Sequence, residues 1–249
     1  MLPLDHIPFP SPDLAGVASA FTALGFTVSP PGGYTAPAEP DARWPCRCVF
    51  LAEGWFDLLH APQAAADGRV RPAAALFRTD DLEAAAAKFQ DMRLQPPYDL
   101  ERRWNDEPDL NVQAFSLLPI RERISPLPVS VIAHSYPAPS LRNAWFDHPN
   151  RALEVAGLVF CGGEPGPFAR AAGRFLDLTG FAHWPSDVFA ARFGDADVAI
   201  QIRTASLEAV RKAIEPGLET SETAETLCVR PPAPLDCGFQ FFESAARPD

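Results

Sequence analysis

The sequence of 249 residues is poor in basic side chains, with 21 Lys and Arg against 32 Asp and Glu and a formal charge of -11. Nucleic acid and anionic membrane surfaces both require a basic face, so neither is an expected partner. No apolar run approaches the ~18 residues of a membrane span, and the N-terminus lacks a basic segment followed by a hydrophobic one. Neither a membrane span nor a secretory signal is therefore predicted. Cysteine is sparse and odd in number: Cys46, Cys48, Cys161, Cys228 and Cys237 match no zinc-knuckle spacing. A reduced, cytoplasmic chain is the expectation. Cys46 and Cys48 share one face of a strand, a pattern that packing cysteines also give. A Gly-rich phosphate loop, a nucleophile elbow and a spaced Cys–His dyad are all missing. No long polar or repetitive tract marks a disordered tail.

What is present is an ordinary globular composition, 47% apolar and 21% charged, long enough for one large domain or two of common size. The 28 prolines cluster at Pro30-Pro31, Pro37 to Pro45, Pro96-Pro97, Pro126 to Pro128 and Pro231 to Pro234. Proline stiffens turns and ends strands, so these clusters mark connections.

The opening stretch sets a pattern. Leu4 to Phe9 alternates as a strand does, and Ser11 or Asp13 can cap the helix that follows. Leu14, Val17, Phe21 and Leu24 repeat at helical spacing, and Gly25 stops the helix as a left-handed C′ residue. Phe26 to Val28 begins the next strand, followed by Arg47 to Leu51 and Gly54 to His60. Gly32-Gly33 reads as a turn. A second unit starts at Ala73, with a helix from Asp81 to Arg93 and strands near Asn111 to Leu118 and Val129 to His134. A third runs from Ala156 through a helix at Pro165 to Leu178 and on through Asp187 to Phe193, with its last strand missing or merged. His183 falls in a loop of this unit. The fourth takes Asp197 to Arg203, a helix from Ser206 to Ile214, Glu225 to Val229 and Gly238 to Glu243. One such unit cannot cover both faces of its sheet, so units must pair. The predicted fold class is α+β: four βαβββ-type units paired into two lobes of curved mixed β-sheet with helices outside, residues 1–148 and 149–249.

This opening phrase resembles that of the vicinal oxygen chelate superfamily, the glyoxalase-like proteins. Trp145-Phe146-Asp147-His148-Pro149-Asn150 is similar to their His-Pro-Asn passage before the third unit, and Val229 to Glu243 is similar to their usual close. The resemblance implies a cavity inside a paired unit, and in many members a divalent metal held by a His on the first strand and a carboxylate on the last. Such a set suits Zn, Ni, Fe or Mn with open positions for a bidentate substrate.

His6 occupies the first of these positions. Trp55-Phe56-Asp57-Leu58-Leu59 resembles the family's Tyr-Leu-Glu-Leu-Ile, which puts Asp57 at the carboxylate position, with Trp55 on the same face and His60 facing away. Ala74 stands where a second His belongs, and His134 lies close enough to compensate. The candidate metal set is His6, Asp57 and His134; the alternative is a cavity His6 hydrogen-bonded to Asp57 with no ion. Trp55, Arg103, Trp104 and Arg123 are candidate substrate contacts, because Arg and Trp together hold anionic or aromatic groups. His148 reads as structural, fixing the inter-lobe turn with Asn150. The second lobe offers only Glu243 at a ligand position, which argues against an extradiol dioxygenase. Three functions stand: metal-assisted lyase or isomerase chemistry on a small oxygenated or aromatic molecule, metal-free binding or sequestration of such a molecule, or a lobe that serves chiefly a homodimer interface.

Overall fold

The computed structural model describes residues 1–105, 112–124, 126–135 and 141–243. The first unit contributes β1 (Leu4–Ser11), α1 (Leu14–Ala23), β2 (Gly32–Ala36), β3 (Glu39–Phe50) and β4 (Trp55–His60). The second contributes β5 (Ala75–Thr79), α2 (Leu82–Lys88), β6 (Tyr98–Trp104), β7 (Gln113–Ile124) and β8 (Leu127–His134). The expected start of a strand at Asn111 lies outside the described residues. These strands form a closed barrel in the order β1-β4-β3-β2-β6-β7-β8-β5. β1 and β4 run parallel, as do β5 and β8, and each unit's other pairings are antiparallel. Each unit is thus βαβββ, and closure removes every edge.

Two details of the first unit differ from expectation. Phe26 to Ser29 carries no regular structure, and Gly32-Gly33 is strand rather than turn. The glycines pair with Arg103 and Trp104 of β6, where a Cβ on Gly32 would come within 2.8 Å of the Arg103 carbonyl oxygen. Only a residue without a side chain allows that approach.

The remaining chain forms a six-stranded curved sheet, β10-β9-β11-β14-β13-β12. Its elements are β9 (Ala152–Cys161), α3 (Pro167–Ala172), β10 (Phe181–Trp184), α4 (Ser186–Phe193), β11 (Val198–Thr204), α5 (Leu207–Ala213), β12 (Thr220–Glu222), β13 (Thr226–Val229) and β14 (Gly238–Glu243). The fold class is as predicted, mixed α+β with two curved mixed sheets. The third unit departs from the pattern: Asp187 to Phe193 is helix, and the His183 segment, read as a loop, is β10. Phe189 and Phe193 lie four apart, one above the other on a helix face. Both are buried against Val159, Ala199 and Cys228. Here α4 fills the face where the first lobe is hollow.

The internal repeat is visible at the helix caps. Asp13, Asp81 and Ser206 each accept the N–H three residues on, at 2.9, 2.9 and 3.2 Å. In each case a hydroxyl two residues earlier accepts the cap's own N–H: Ser11, Thr79 and Thr204, at 3.0, 3.1 and 3.2 Å. The caps therefore recur in the first, second and fourth units, whereas α3 and α4 of the third have no side-chain cap. Gly25 has φ 79°, the left-handed stop that the pattern required.

One apolar core joins the lobes. Phe21 of α1, Phe26 and Phe56 pack against Phe239 and Phe241 of β14, with ring centroids 5.8 to 6.1 Å apart. The passage between lobes is pinned by buried polar groups. The Thr27 N–H donates to His148 Nδ1 at 3.0 Å, and His148 Nε2 donates to the Phe50 carbonyl at 2.7 Å. Asn150 donates to the Leu24 carbonyl at 2.9 Å and accepts from the Ala152 N–H at 3.0 Å. His148 and Asn150 are structural, as their spacing implied. Among the described residues no helix is long and apolar enough to cross a membrane.

Candidate functional site

Strand alternation sorts the barrel residues into two sets. Ile7, Phe9, Phe56 and Leu58 face outward into the shared core. The interior receives Tyr34 from β2, Cys46, Cys48 and Phe50 from β3, Trp55 from β4, Leu76 from β5, Trp104 from β6, Phe115 and Leu117 from β7 and Ile132 from β8. Of these, Tyr34, Trp55, Leu76, Phe115, Leu117 and Ile132 line a cavity of about 410 Å³, with His6, Tyr34 and Asp57 as polar groups in its wall. Pro8, Pro10, His60 and Tyr98 also line it. Alternation would have turned His60 outward, but at the strand end it borders the cavity.

Behind the cavity wall lies a connected polar chain. Arg102 is fully buried. Its Nε donates to Gln113 Oε1 at 2.7 Å, and its Nη1 donates to the Tyr34 hydroxyl at 2.8 Å and to Cys48 Sγ at 3.2 Å. The Tyr34 hydroxyl donates to Asp57 Oδ2 at 2.7 Å, and the Cys48 thiol to Asp57 Oδ1 at 3.2 Å. Burial pushes both the phenol and the thiol well above their ordinary pKa, so each keeps the proton it donates. Burial opposes the charge on Arg102, while Cys48, Tyr34 and Asp57 raise its pKa above the ordinary value. Rings of Tyr34, Phe50, Trp55, Trp104 and Phe115 surround the guanidinium, with centroids 5.0 to 5.6 Å from Cζ.

A second chain meets the cavity through His6. β1 pairs with β5 through a register shift between Leu4 and His6. One residue is thereby inserted, so Asp5 does not simply point away from His6. Asp5 accepts from His6 Nδ1 at 2.8 Å and from His134 Nε2 at 3.0 Å. Burial alone would raise the Asp5 carboxyl, but the hydrogen bonds from His134 and His6 outweigh it and hold the pKa down at about 2. An ionised carboxylate accepts only, so His6 carries its proton on Nδ1. Its Nε2 then faces Asp57 Oδ2 across 3.9 Å, and the ring stacks on Trp55 at 4.3 Å. The arrangement provides a histidine of fixed tautomer, a carboxylate and a phenol at one end of an apolar cavity. Such a set can orient an oxygenated group and exchange a proton with it.

The predicted site residues therefore scatter. His6, Asp57 and Trp55 line the cavity. His134 joins His6 through Asp5, and the expected His6–Asp57 hydrogen bond is an open 3.9 Å gap. Trp104 is buried beside Arg102 but does not line the cavity. Arg103 lies on the opposite strand face, 59% exposed and paired with Glu101 at 3.1 Å. Arg123 is exposed and donates to the Pro126 carbonyl. Glu243 accepts the Leu207 N–H at the start of α5, which makes it a helix cap.

The donors present do not fit a divalent metal ion. Asp5 engages both imidazoles, Tyr34 and Cys48 engage Asp57, and the Arg102 cation stands 3.9 Å from that carboxylate. Among the described residues no three His, Cys, Asp or Glu side chains are grouped as ligands.

Sequence reasoning missed Arg102, Tyr34, Gln113 and Asp5. A signal for Arg102 was available: in an alternating strand it shares the Trp104 face, and Arg103 does not. Asp5 had none, because a bulge is not written in the alternation it breaks.

Residues 4–178 match the family model for the glyoxalase-like domain. A search of curated proteins finds no match. Among solved structures, a hypothetical protein from Staphylococcus aureus is 11% identical with a TM-score of 0.48, covering 98% of this chain and 87% of that one. A Streptomyces coelicolor methylmalonyl-CoA epimerase in complex with 2-nitronate-propionyl-CoA is 18% identical with a TM-score of 0.39, covering 55% of this chain and 100% of its own. A glyoxalase I variant from Zea mays is 12% identical with a TM-score of 0.33, covering 96% of this chain and 67% of its own.

Proposed function

This chain belongs to the glyoxalase-like domain family of the vicinal oxygen chelate superfamily, and on that premise we propose that it binds a small oxygenated or aromatic molecule in the first-lobe cavity without a metal ion. The observation that carries this reading is the cavity itself: about 410 Å³, walled by Leu59, Leu76, Leu100, Leu117 and Ile132, with His6, Tyr34 and Asp57 as polar groups. That mixture of apolar wall and a few placed polar groups is what small-molecule sites have in common. The ligand's body lies among the aliphatic side chains and its oxygen meets the polar end. The second lobe, 149–249, supports the first; a homodimer and a cytoplasmic location belong to the same proposal.

The test is saturable binding. Trp44 and Trp55 line the cavity, so a bound aromatic compound quenches their fluorescence. Leu76→Trp fills the cavity and is expected to abolish quenching by any compound that the wild type binds. Equal binding by both proteins would place the ligand elsewhere.

A second reading, lyase or isomerase chemistry, rests on His6. Its Nδ1 is tied to Asp5, which leaves the Nε2 lone pair on the cavity side as a general base. Exchange of a ligand C–H proton with solvent deuterium, lost in His6→Gln, would support it; retention of exchange would remove His6 from that role.

A further inference from the structure

The polar atoms that converge at the cavity wall have their own protons committed. His6 donates from Nδ1 to Asp5 at 2.8 Å, and the bonds from His134 and His6 hold that carboxyl ionised, with a pKa of about 2. The neutral imidazole therefore keeps a lone pair on Nε2. Nε2 has no hydrogen-bond partner among the described residues, and unlike the sealed indole nitrogens of Trp55 and Trp104 it reaches open space. Asp57 Oδ2 faces it across 3.9 Å. That oxygen already accepts the one proton of the Tyr34 hydroxyl at 2.7 Å, while the hydroxyl accepts from Arg102 at 2.8 Å. Burial pushes the phenol well above its ordinary pKa, so its proton stays in place. Ser130 also lines the cavity, but it lies two strands from His6, beyond Leu76.

One acceptor at the cavity wall thus lacks a donor, and its surroundings constrain what can supply one. A ligand that displaces solvent from Nε2 without replacing its hydrogen bond loses affinity. A carbonyl or ether oxygen brings no hydrogen and would set lone pairs against lone pairs. A carboxylate brings none either, and adds a second negative charge beside Asp57. An ammonium brings three hydrogens, but the Asp57 charge is already met by Arg102, whose Nη1 stands 3.9 Å from Oδ1 and opposes a second cation. A hydroxyl is neutral and brings the one hydrogen required. The rest of the wall, with the Trp55 ring stacked on His6 at 4.3 Å and Phe115, Leu76, Leu117 and Ile132 around it, suits an apolar or aromatic body.

We propose that His6 Nε2 accepts a hydrogen bond from a hydroxyl of the cavity's ligand, so that the ligand class is a small neutral phenol or alcohol. The inference rests on the cavity reading above and adds the anchoring group: the ligand's oxygen carries a hydrogen, and its partner is His6.

Matched probes test it on the full-length protein. Phenol and 2-naphthol are each compared by equilibrium dialysis at pH 7.5 with the methyl ether, the carboxylate and the aminomethyl compound of the same ring. In at least one series the hydroxyl compound is expected to bind about ten-fold more tightly than its ether, the ratio that a difference of about 1.4 kcal/mol gives, and more tightly than the acid or the amine. His6→Phe, which keeps a ring against Trp55 and removes the acceptor, is expected to bring the hydroxyl and ether to equal affinity. Should that variant not fold, the wild-type ratios carry the test. Equal affinity of hydroxyl and ether in the wild type would overturn the hydroxyl assignment and leave the cavity reading standing. Tighter binding of the acid or the amine would do the same. A hydroxyl preference that survives unchanged in His6→Phe would also overturn it, because the acceptor is then another group. Failure of every probe in both series to bind the wild type would overturn the cavity reading, and this inference with it.

Discussion

Replacing Asp57 by asparagine keeps the shape of the side chain and removes its charge, which leaves the buried Arg102 guanidinium without its carboxylate. The two approach to 3.9 Å, with side-chain exposures of 0% and 6%. At an effective dielectric of about 20, unit charges at that separation attract by about 4 kcal/mol. The Tyr34 hydroxyl and the Cys48 thiol keep an acceptor at most, and that acceptor is no longer charged. Loss of one partner from a buried pair typically costs about 3–5 kcal/mol, so both routes lead to about 4 kcal/mol for Asp57→Asn. Urea unfolding followed by tryptophan fluorescence and far-ultraviolet circular dichroism measures it. Trp55 and Trp104 stand beside Arg102 and report on the barrel. Because one apolar core joins the lobes, the two probes are expected to give a single coincident transition. Adding Arg102→Met to the asparagine variant is expected to recover about 2 kcal/mol by removing the uncompensated charge. A loss below about 1 kcal/mol for Asp57→Asn, against the 3–5 typical of buried pairs, would refute the electrostatic account of the barrel interior.

Four further outcomes follow from the same geometry. Burial lowers the His148 pKa against the opposing effects of its bond to the Phe50 carbonyl and the Asp147 charge. The unfolded chain takes up a proton near pH 6.5 that the folded imidazole refuses, so its contribution is complete above that pH and falls as the pH drops toward the lowered folded value. The stability gap between wild type and His148→Gln is therefore expected to shrink from pH 7 to pH 5 in denaturant titrations; a constant gap contradicts this. Gly157→Ala would put a Cβ 1.9 Å from the Gly180 carbonyl oxygen, and a Tm loss of about 10 °C is expected by calorimetry, since each kcal/mol is worth about 2–4 °C at this size; an unchanged Tm would mean that β9 and β10 do not approach as described. Phe189→Ala is expected to cost about 3–5 kcal/mol in urea unfolding, because it empties the face that α4 fills, and a cost near zero would show that face to be loosely packed. Zinc or nickel titrated into the purified protein is expected to give no stoichiometric uptake that His6→Ala removes; uptake that depends on His6 would reinstate the ion.

The repeat was legible because it is local. Ser11 and Asp13, Thr79 and Asp81, and Thr204 and Ser206 sit at strand-to-helix turns whose chemistry is complete within a few residues. Gly25 was legible for the same reason, since the left-handed stop of the helix calls for it locally. Asp187 to Phe193 was misread because a short segment with Phe at positions 189 and 193 fits both periods, and only packing on Val159 and Ala199 selects the helix. His6 and Asp57 lie in the cavity wall, where strand alternation and the family resemblance put them. Arg103 was chosen over Arg102 because both flank Trp104 in an Arg-Arg-Trp run, and the choice between them depends on the phase of β6.

By itself, then, the amino-acid order determined the βαβββ succession of the first, second and fourth units and their caps, because hydrophobic period and turn chemistry act over a few residues. It also placed one histidine and one carboxylate in the first lobe. Tertiary structure alone decided which charges meet. Closing the barrel turned Arg102 inward among five rings, the shift in β1 set Asp5 between two histidines, and α4 closed the second lobe. The physical reason is range: burial and charge pairing depend on groups brought together from strands far apart in sequence, and no local pattern records their distances.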